Sequence, residues 1–185
     1  MTRMRRLPRD TGGVTAVEFA LIAPVLILLA LGTIDVGYTL TVNRLLEASA
    51  REASRFGITG NAPEDRTREE QIRRIVERTL IGSDVAGRLA IDVRAYKSFE
   101  NVGQPEPFED SNGNGIRDAG ETYTDVNGNG VWDGDMGLPA AGGAGEVVVY
   151  TLTYPQPVLV PFMIPVYGGD TITHEARAVV RNEPF

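Results

Sequence analysis

From Phe19 to Ile34 the chain carries no charge, and Glu18 and Asp35 bracket the run. Roughly 20 predominantly apolar residues cross a bilayer core, and Ala16 to Val42 is long enough to do so. Arg3, Arg5, Arg6 and Arg9 precede it, which by the positive-inside bias puts the N-terminus in the cytoplasm and everything after Val42 outside. Burying an ionisable group beside hydrocarbon costs at least ~2.5 kcal/mol on insertion scales, so Glu18 needs a partner or a route to the interface.

A cleavable secretory signal has an apolar core of only ~7–15 residues that ends in small residues at a cut site. Here the pattern runs on through Asn43-Arg44-Leu45-Leu46-Glu47-Ala48-Ser49-Ala50-Arg51-Glu52-Ala53-Ser54-Arg55-Phe56 with apolar residues at helical spacing. Gly57 or Gly60 suits a C-terminal cap. At 1.5 Å per residue, Val14 to Phe56 is a rod of roughly 65 Å. Pro24 removes a backbone donor and predicts a kink. Asp35, about 25 Å beyond Glu18 along such a helix, is expected at the outer interface.

A leader ending in Gly12-Gly13, a glutamate five residues later and then an apolar helix resemble the class III signal of type IV pilin-like proteins. Ala16-Val17-Glu18-Phe19-Ala20-Leu21-Ile22-Ala23-Pro24, the Gly32-x-x-Asp35-x-Gly37 segment, Ala50-Arg51-Glu52-Ala53-Ser54-Arg55 and the closing Val179-Val180-Arg181-Asn182-Glu183-Pro184-Phe185 more narrowly resemble the TadE-like pseudopilins of tight-adherence (Tad) pili. Asp35 stands where that family usually has glutamate. The resemblance implies that a prepilin peptidase cuts between Gly13 and Val14. Glu18 then lies one helical turn from the new Val14 amine, and pairs with its own amine or with that of an adjacent subunit. The plainer reading is that Glu18 snorkels in the headgroup layer.

A second motif lies in the middle of the chain. Two copies of one unit start at Asp110 and Asp125. The first satisfies the D-x-[DN]-x-[DN]-G-x5-E pattern of a calcium loop, with Asp110, Asn112, Asn114, Gly115, Asp118, Glu121 and the Ile116 carbonyl. Ca2+ takes six to eight oxygens, and this spacing wraps side-chain and main-chain oxygens around one point. The second copy offers Asp125, Asn127, Asn129, the Val131 carbonyl and Asp133, but Met136 replaces the closing glutamate. Asp135, one position early, or a carboxylate shared between the loops is expected to substitute. Flanking prolines and glycines argue against EF-hand helices. The pair is similar in spacing to dockerin-like or thrombospondin-repeat loops, and one or two Ca2+ ions are expected to order it. The alternative is a pair of Asn-Gly turns on a polar hairpin. With no cysteine in the chain, no disulfide can serve as the staple.

Thr67-x-x-Glu70 is a capping box ahead of Ile72, Ile75, Val76 and Leu80, which predicts a second helix over 66–81. Residues 89–96, 146–154 and 171–180 alternate as half-buried strands do. Val158 to Met163, set among four prolines, is expected to pack on the head rather than insert into a membrane.

The expected fold is α+β: a long N-terminal transmembrane helix continuing into a pilin-like head, with the second helix on a three-stranded antiparallel sheet and the calcium loops between strands 1 and 2. The expected divisions are a cytoplasmic leader over 1–13, the helix over 14–57 and the head over 61–185, with the insert at 105–138. Of 185 residues, 25 are acidic and 18 basic, and the acidic surplus lies outside the leader, which disfavours nucleic acid. No Gly-x-Ser-x-Gly elbow or phosphate loop is present, and the one histidine, His174, sits in a strand, so no enzyme is expected. The leading reading is a minor pilin or pseudopilin of the bacterial inner membrane with its head in the periplasm. Its partners are the prepilin peptidase, other pilin subunits and the assembly platform. The competing reading is an uncleaved, single-span, calcium-dependent binding module.

Overall fold

The computed structural model describes residues 12–58, 70, 73–74 and 85–183. Helix α1, Gly12–Ile58, runs unbroken for 47 residues through Pro24. Thr33, Thr41 and Ser49 hydroxyls donate back to the carbonyls four residues earlier, at 2.7–2.8 Å, so polar side chains on the rod spend their donors locally. From Gly13 to Leu31 no side chain of α1 is buried. Further on, Val42, Leu46, Ala50 and Ala53 form a buried stripe at helical spacing, and the two alanines let the sheet approach closely. Of the second helix expected over 66–81, only residues 70, 73 and 74 are described, and these are helical.

The sheet is an antiparallel meander, β1 (Ala90–Tyr96), β2 (Val147–Pro157) and β3 (Thr171–Arg181), with β2 in the centre. Successive side chains of a strand point to opposite faces. On one face of β2, Val148, Tyr150, Leu152 and Tyr154 meet Val42, Leu46, Ala50 and Ala53 of α1, with Leu89 and Ala176 completing the core. Burial of Val148 or Leu152 stabilises by about 1.5–3 kcal/mol each. On the other face Val147 and Val149 join Tyr96 and Met136 in a second cluster, so the segment between β1 and β2 covers the back of the sheet. Strand β2 therefore starts buried on both faces, and the alternation expected of a half-buried strand is clear only towards its end.

Pro155 and Pro157 lie within β2, which runs past the expected end at 154. Pairing with β1 stops at Thr153, while pairing with β3 continues to Pro157↔Thr171. Beyond Thr153 one edge of β2 is open, and there a missing N–H leaves no ladder bond unmade. The α+β class, the long apolar helix and the three-stranded antiparallel sheet follow the sequence reading, with the loop insert between β1 and β2.

Candidate functional sites: an apolar helix and paired acidic loops

Helix α1 is long and apolar enough to cross a membrane, and no residue of its most apolar stretch is buried. Gly13, Val14 and Glu18 lie in its first turns, exposed; among the described residues Glu18 makes no hydrogen bond or ion pair. The leader before Gly12 lies outside the described residues.

Asp35 is covered by the head rather than open to solvent. It is fully buried, and its Oδ1 accepts the backbone N–H groups of Leu159 (3.0 Å) and Val160 (3.2 Å). An interfacial aspartate would point to water; this one is roofed by the β2–β3 connection, whose Met163 and Phe162 also pack beside Gly32. The connection thus rests on α1. Further up, Thr39 Oγ1 accepts from Gln156 Nε2 (3.2 Å), and Gln156 Oε1 meets His174 Nε2 (3.0 Å). This chain ties helix to sheet and occupies the histidine, whose imidazole pKa burial pushes below its ordinary value.

The two loops repeat each other bond for bond. Asp110 accepts the N–H groups of Gly113 (2.8 Å), Asn114 (3.1 Å) and Gly115 (2.8 Å). Asp125 accepts those of Gly128 (2.6 Å), Asn129 (3.2 Å) and Gly130 (2.8 Å). Both carboxyls are held below the usual carboxylate range, chiefly by the bonds from Gly115 and Gly130. The turn requires positive φ at those two glycines, 75° and 82°. Asn112 and Asn114 each donate to Asp118 Oδ2 (2.6 and 2.9 Å). Asn127 and Asn129 likewise donate to Asp133 Oδ2 (2.7 and 2.6 Å). Arg117 of the first loop stacks over Tyr123 and reaches the Trp132 ring of the second, joining the pair. The side chains of Ile116 and Val131 are exposed.

Glu121, at the end of the first loop, accepts Ser111 N–H and Asp118 N–H at 2.9 Å each. In the second loop Met136 is buried against Tyr96, so a carboxylate at that position would enter an apolar cluster. Asp135 does not replace it: its Oδ2 holds Arg94 and Tyr96 (both 3.1 Å) and its Oδ1 holds Gly137 N–H. Burial, then the Asp135 bond, push the Tyr96 phenol pKa above its ordinary value. The closing carboxylate is Glu106, which lies ahead of both loops. Fully buried, it accepts Val126 N–H (2.7 Å), Asn127 N–H (3.2 Å) and Asp133 N–H (3.2 Å), while its carbonyl accepts Trp132 Nε1–H (2.9 Å). Sequence reasoning missed it because the loop pattern looks only downstream of its first aspartate. The one signal was an acid fixed between Pro105 and Pro107. Among the described residues no group of three or more His, Cys, Asp or Glu side chains converges as a metal cluster.

No curated protein and no solved structure matches the chain. Residues 13–55 match the family model of TadE-like proteins, a span that coincides with α1 and stops before the sheet. Over its apolar helix, this chain is similar to TadE-like proteins.

Proposed function

We propose that the chain is a minor pilin or pseudopilin of a Tad pilus, cut between Gly13 and Val14 by a prepilin peptidase and held in the inner membrane by α1 with its head in the periplasm. The observation that carries this reading is the TadE-like match over residues 13–55, beginning at the glycine of the cut. Glu18 supports it: exposed on the first turns, one turn from Val14, it is placed to meet an amine on its own or a neighbouring helix. Helix-on-helix packing with other pilin subunits and the assembly platform is then the mechanism of assembly, and the head is structural rather than catalytic. Mass spectrometry of the protein purified from its native host tests this. A mature terminus at Val14 supports the reading, and a retained arginine leader overturns it in favour of an uncleaved, membrane-tethered binding module.

Ca2+ is the structural ion we propose for the loops. In each loop two asparagines and one carboxylate, Asp118 or Asp133, meet at a single point, where the amide nitrogens now donate to the carboxylate and would turn to present their oxygens to an ion. Hard cations prefer such oxygen sets, and a cation there would take over from the amide donors. Asp110, Asn112, Asn114, Asp118, Glu121 and the Ile116 carbonyl would hold the first ion. Asp125, Asn127, Asn129, Asp133 and the Val131 carbonyl would hold the second, with Glu106 in the place first given to Asp135. Because the insert covers the back of the sheet, an ion that orders the loops also orders the head.

A further inference from the structure

We infer that the β2–β3 connection, residues 158–167, is a foot that enters the head-side leaflet of the bilayer and contacts lipid hydrocarbon. From Pro157 to Gly169 the chain has no charged side chain. Leu159, Phe162 and Val166 are 51%, 38% and 70% exposed, an apolar surface with no cover from the head. Its position on α1 supplies the occupant. Met163 Sδ and Phe162 Cζ lie 3.7 and 4.0 Å from where a Cβ on Gly32 would stand, and both residues line a groove with Val25, Leu28, Leu29 and Val36. If Glu18 marks one headgroup layer, a hydrocarbon core of about 20 helical residues ends near Tyr38. Gly32 is then roughly 9 Å inside it at 1.5 Å per residue. What touches Gly32 shares that depth.

Much of the backbone is prepared for such a place. Irregular chain in hydrocarbon must satisfy its own donors. Val158 N–H bonds the Asp170 carbonyl, Leu159 and Val160 bond Asp35, Met163 bonds the Val160 carbonyl, and Gly169 bonds that of Ile164. Ile164 N–H reaches the Pro161 carbonyl and Gly168 N–H that of Ile164, while Pro161 and Pro165 have no N–H to satisfy. The connection also covers Asp35, which is fully buried with Oδ1 bonded to it and Oδ2 without a hydrogen-bond partner. Only the single-span reading of α1 is needed here, not the pilus.

The chain lacks cysteine, so Val166→Cys and Leu159→Cys, with Leu28→Cys and Ser111→Cys as references, each give one nitroxide site in the full-length protein. In phosphatidylethanolamine/phosphatidylglycerol vesicles, labels at 166 and 159 should favour collision with oxygen over a water-soluble nickel chelate, several-fold more than at 111 and close to the ratio at 28. An aqueous ratio at 166 and 159 beside a lipid ratio at 28 overturns the foot alone. An aqueous ratio at 28 removes the span as well. Shielding from both reagents that fades as protein is diluted in lipid assigns the surface to a second copy and also overturns the proposal.

Discussion

Glu106 and Glu121 make the same two bonds to two different loops, each carboxylate accepting the second and the ninth backbone N–H of its loop. Glu121 reaches back from the end of its own loop, whereas Glu106 reaches forward from before both. The second loop can therefore give its last position to the apolar Met136 and still be closed.

If each loop takes one Ca2+, titration calorimetry should find two ions per chain. Glu121→Gln should remove the first, Glu106→Gln the second, and each variant should retain one. Two ions in both variants would deny the glutamates their closing role.

Asp110→Ala with Glu121→Ala should remove the first loop's share of the rise in thermal midpoint that calcium produces. Some loss should persist in chelator, because Asp110 also gathers three backbone N–H groups. Equal midpoints of the variant relative to the parent in calcium and in chelator would reject metal binding. Since Asp110 and Asp125 have lowered pKa values, their stabilisation is present above the ordinary aspartate range. It is lost as pH falls through their folded values, so acid melts should show the loops loosening only below the ordinary aspartate range.

Removing the Asp35 carboxylate strands the N–H groups of Leu159 and Val160. A stranded buried donor costs about 1–3 kcal/mol, so Asp35→Ala should speed amide exchange at both positions, while Asp35→Asn, which keeps an acceptor, should do so less. Unchanged exchange in both variants would break the link between helix and connection.

The His174 imidazole has a lowered pKa through burial, so the unfolded chain binds its proton first as pH falls. Its stabilising effect is whole above its unfolded value of about 6.5 and declines from there down to the folded value. Thermal melts between pH 7.5 and 5 should fall less steeply for His174→Gln than for the parent; identical slopes would remove the histidine from the pH response.

Periodicity and turn residues made the sheet legible: the three alternating runs at 89–96, 146–154 and 171–180 are β1, β2 and β3 to within a few residues. The first loop's boundaries were legible because Asp110 and Glu121 stand at fixed offsets, but the backbone N–H groups they accept were not read from the pattern. Asp35 and Glu106 were not legible. Asp35 binds main-chain donors more than a hundred residues away, which no side-chain pattern announces, and Glu106 serves a loop whose own spacing, read forward, ends in a methionine. The Val158–Met163 stretch was expected on the head, and its contact with Gly32 depends on how α1 and the sheet meet.

Helix α1 is at once the membrane rod and, through Val42, Leu46, Ala50 and Ala53, one wall of the head's core. No hinge among the described residues of α1 separates the two roles, so the molecule behaves as a crankshaft. If the subunit is drawn from a membrane, as the proposed pilin role requires, the helix takes one wall of the head's core with it.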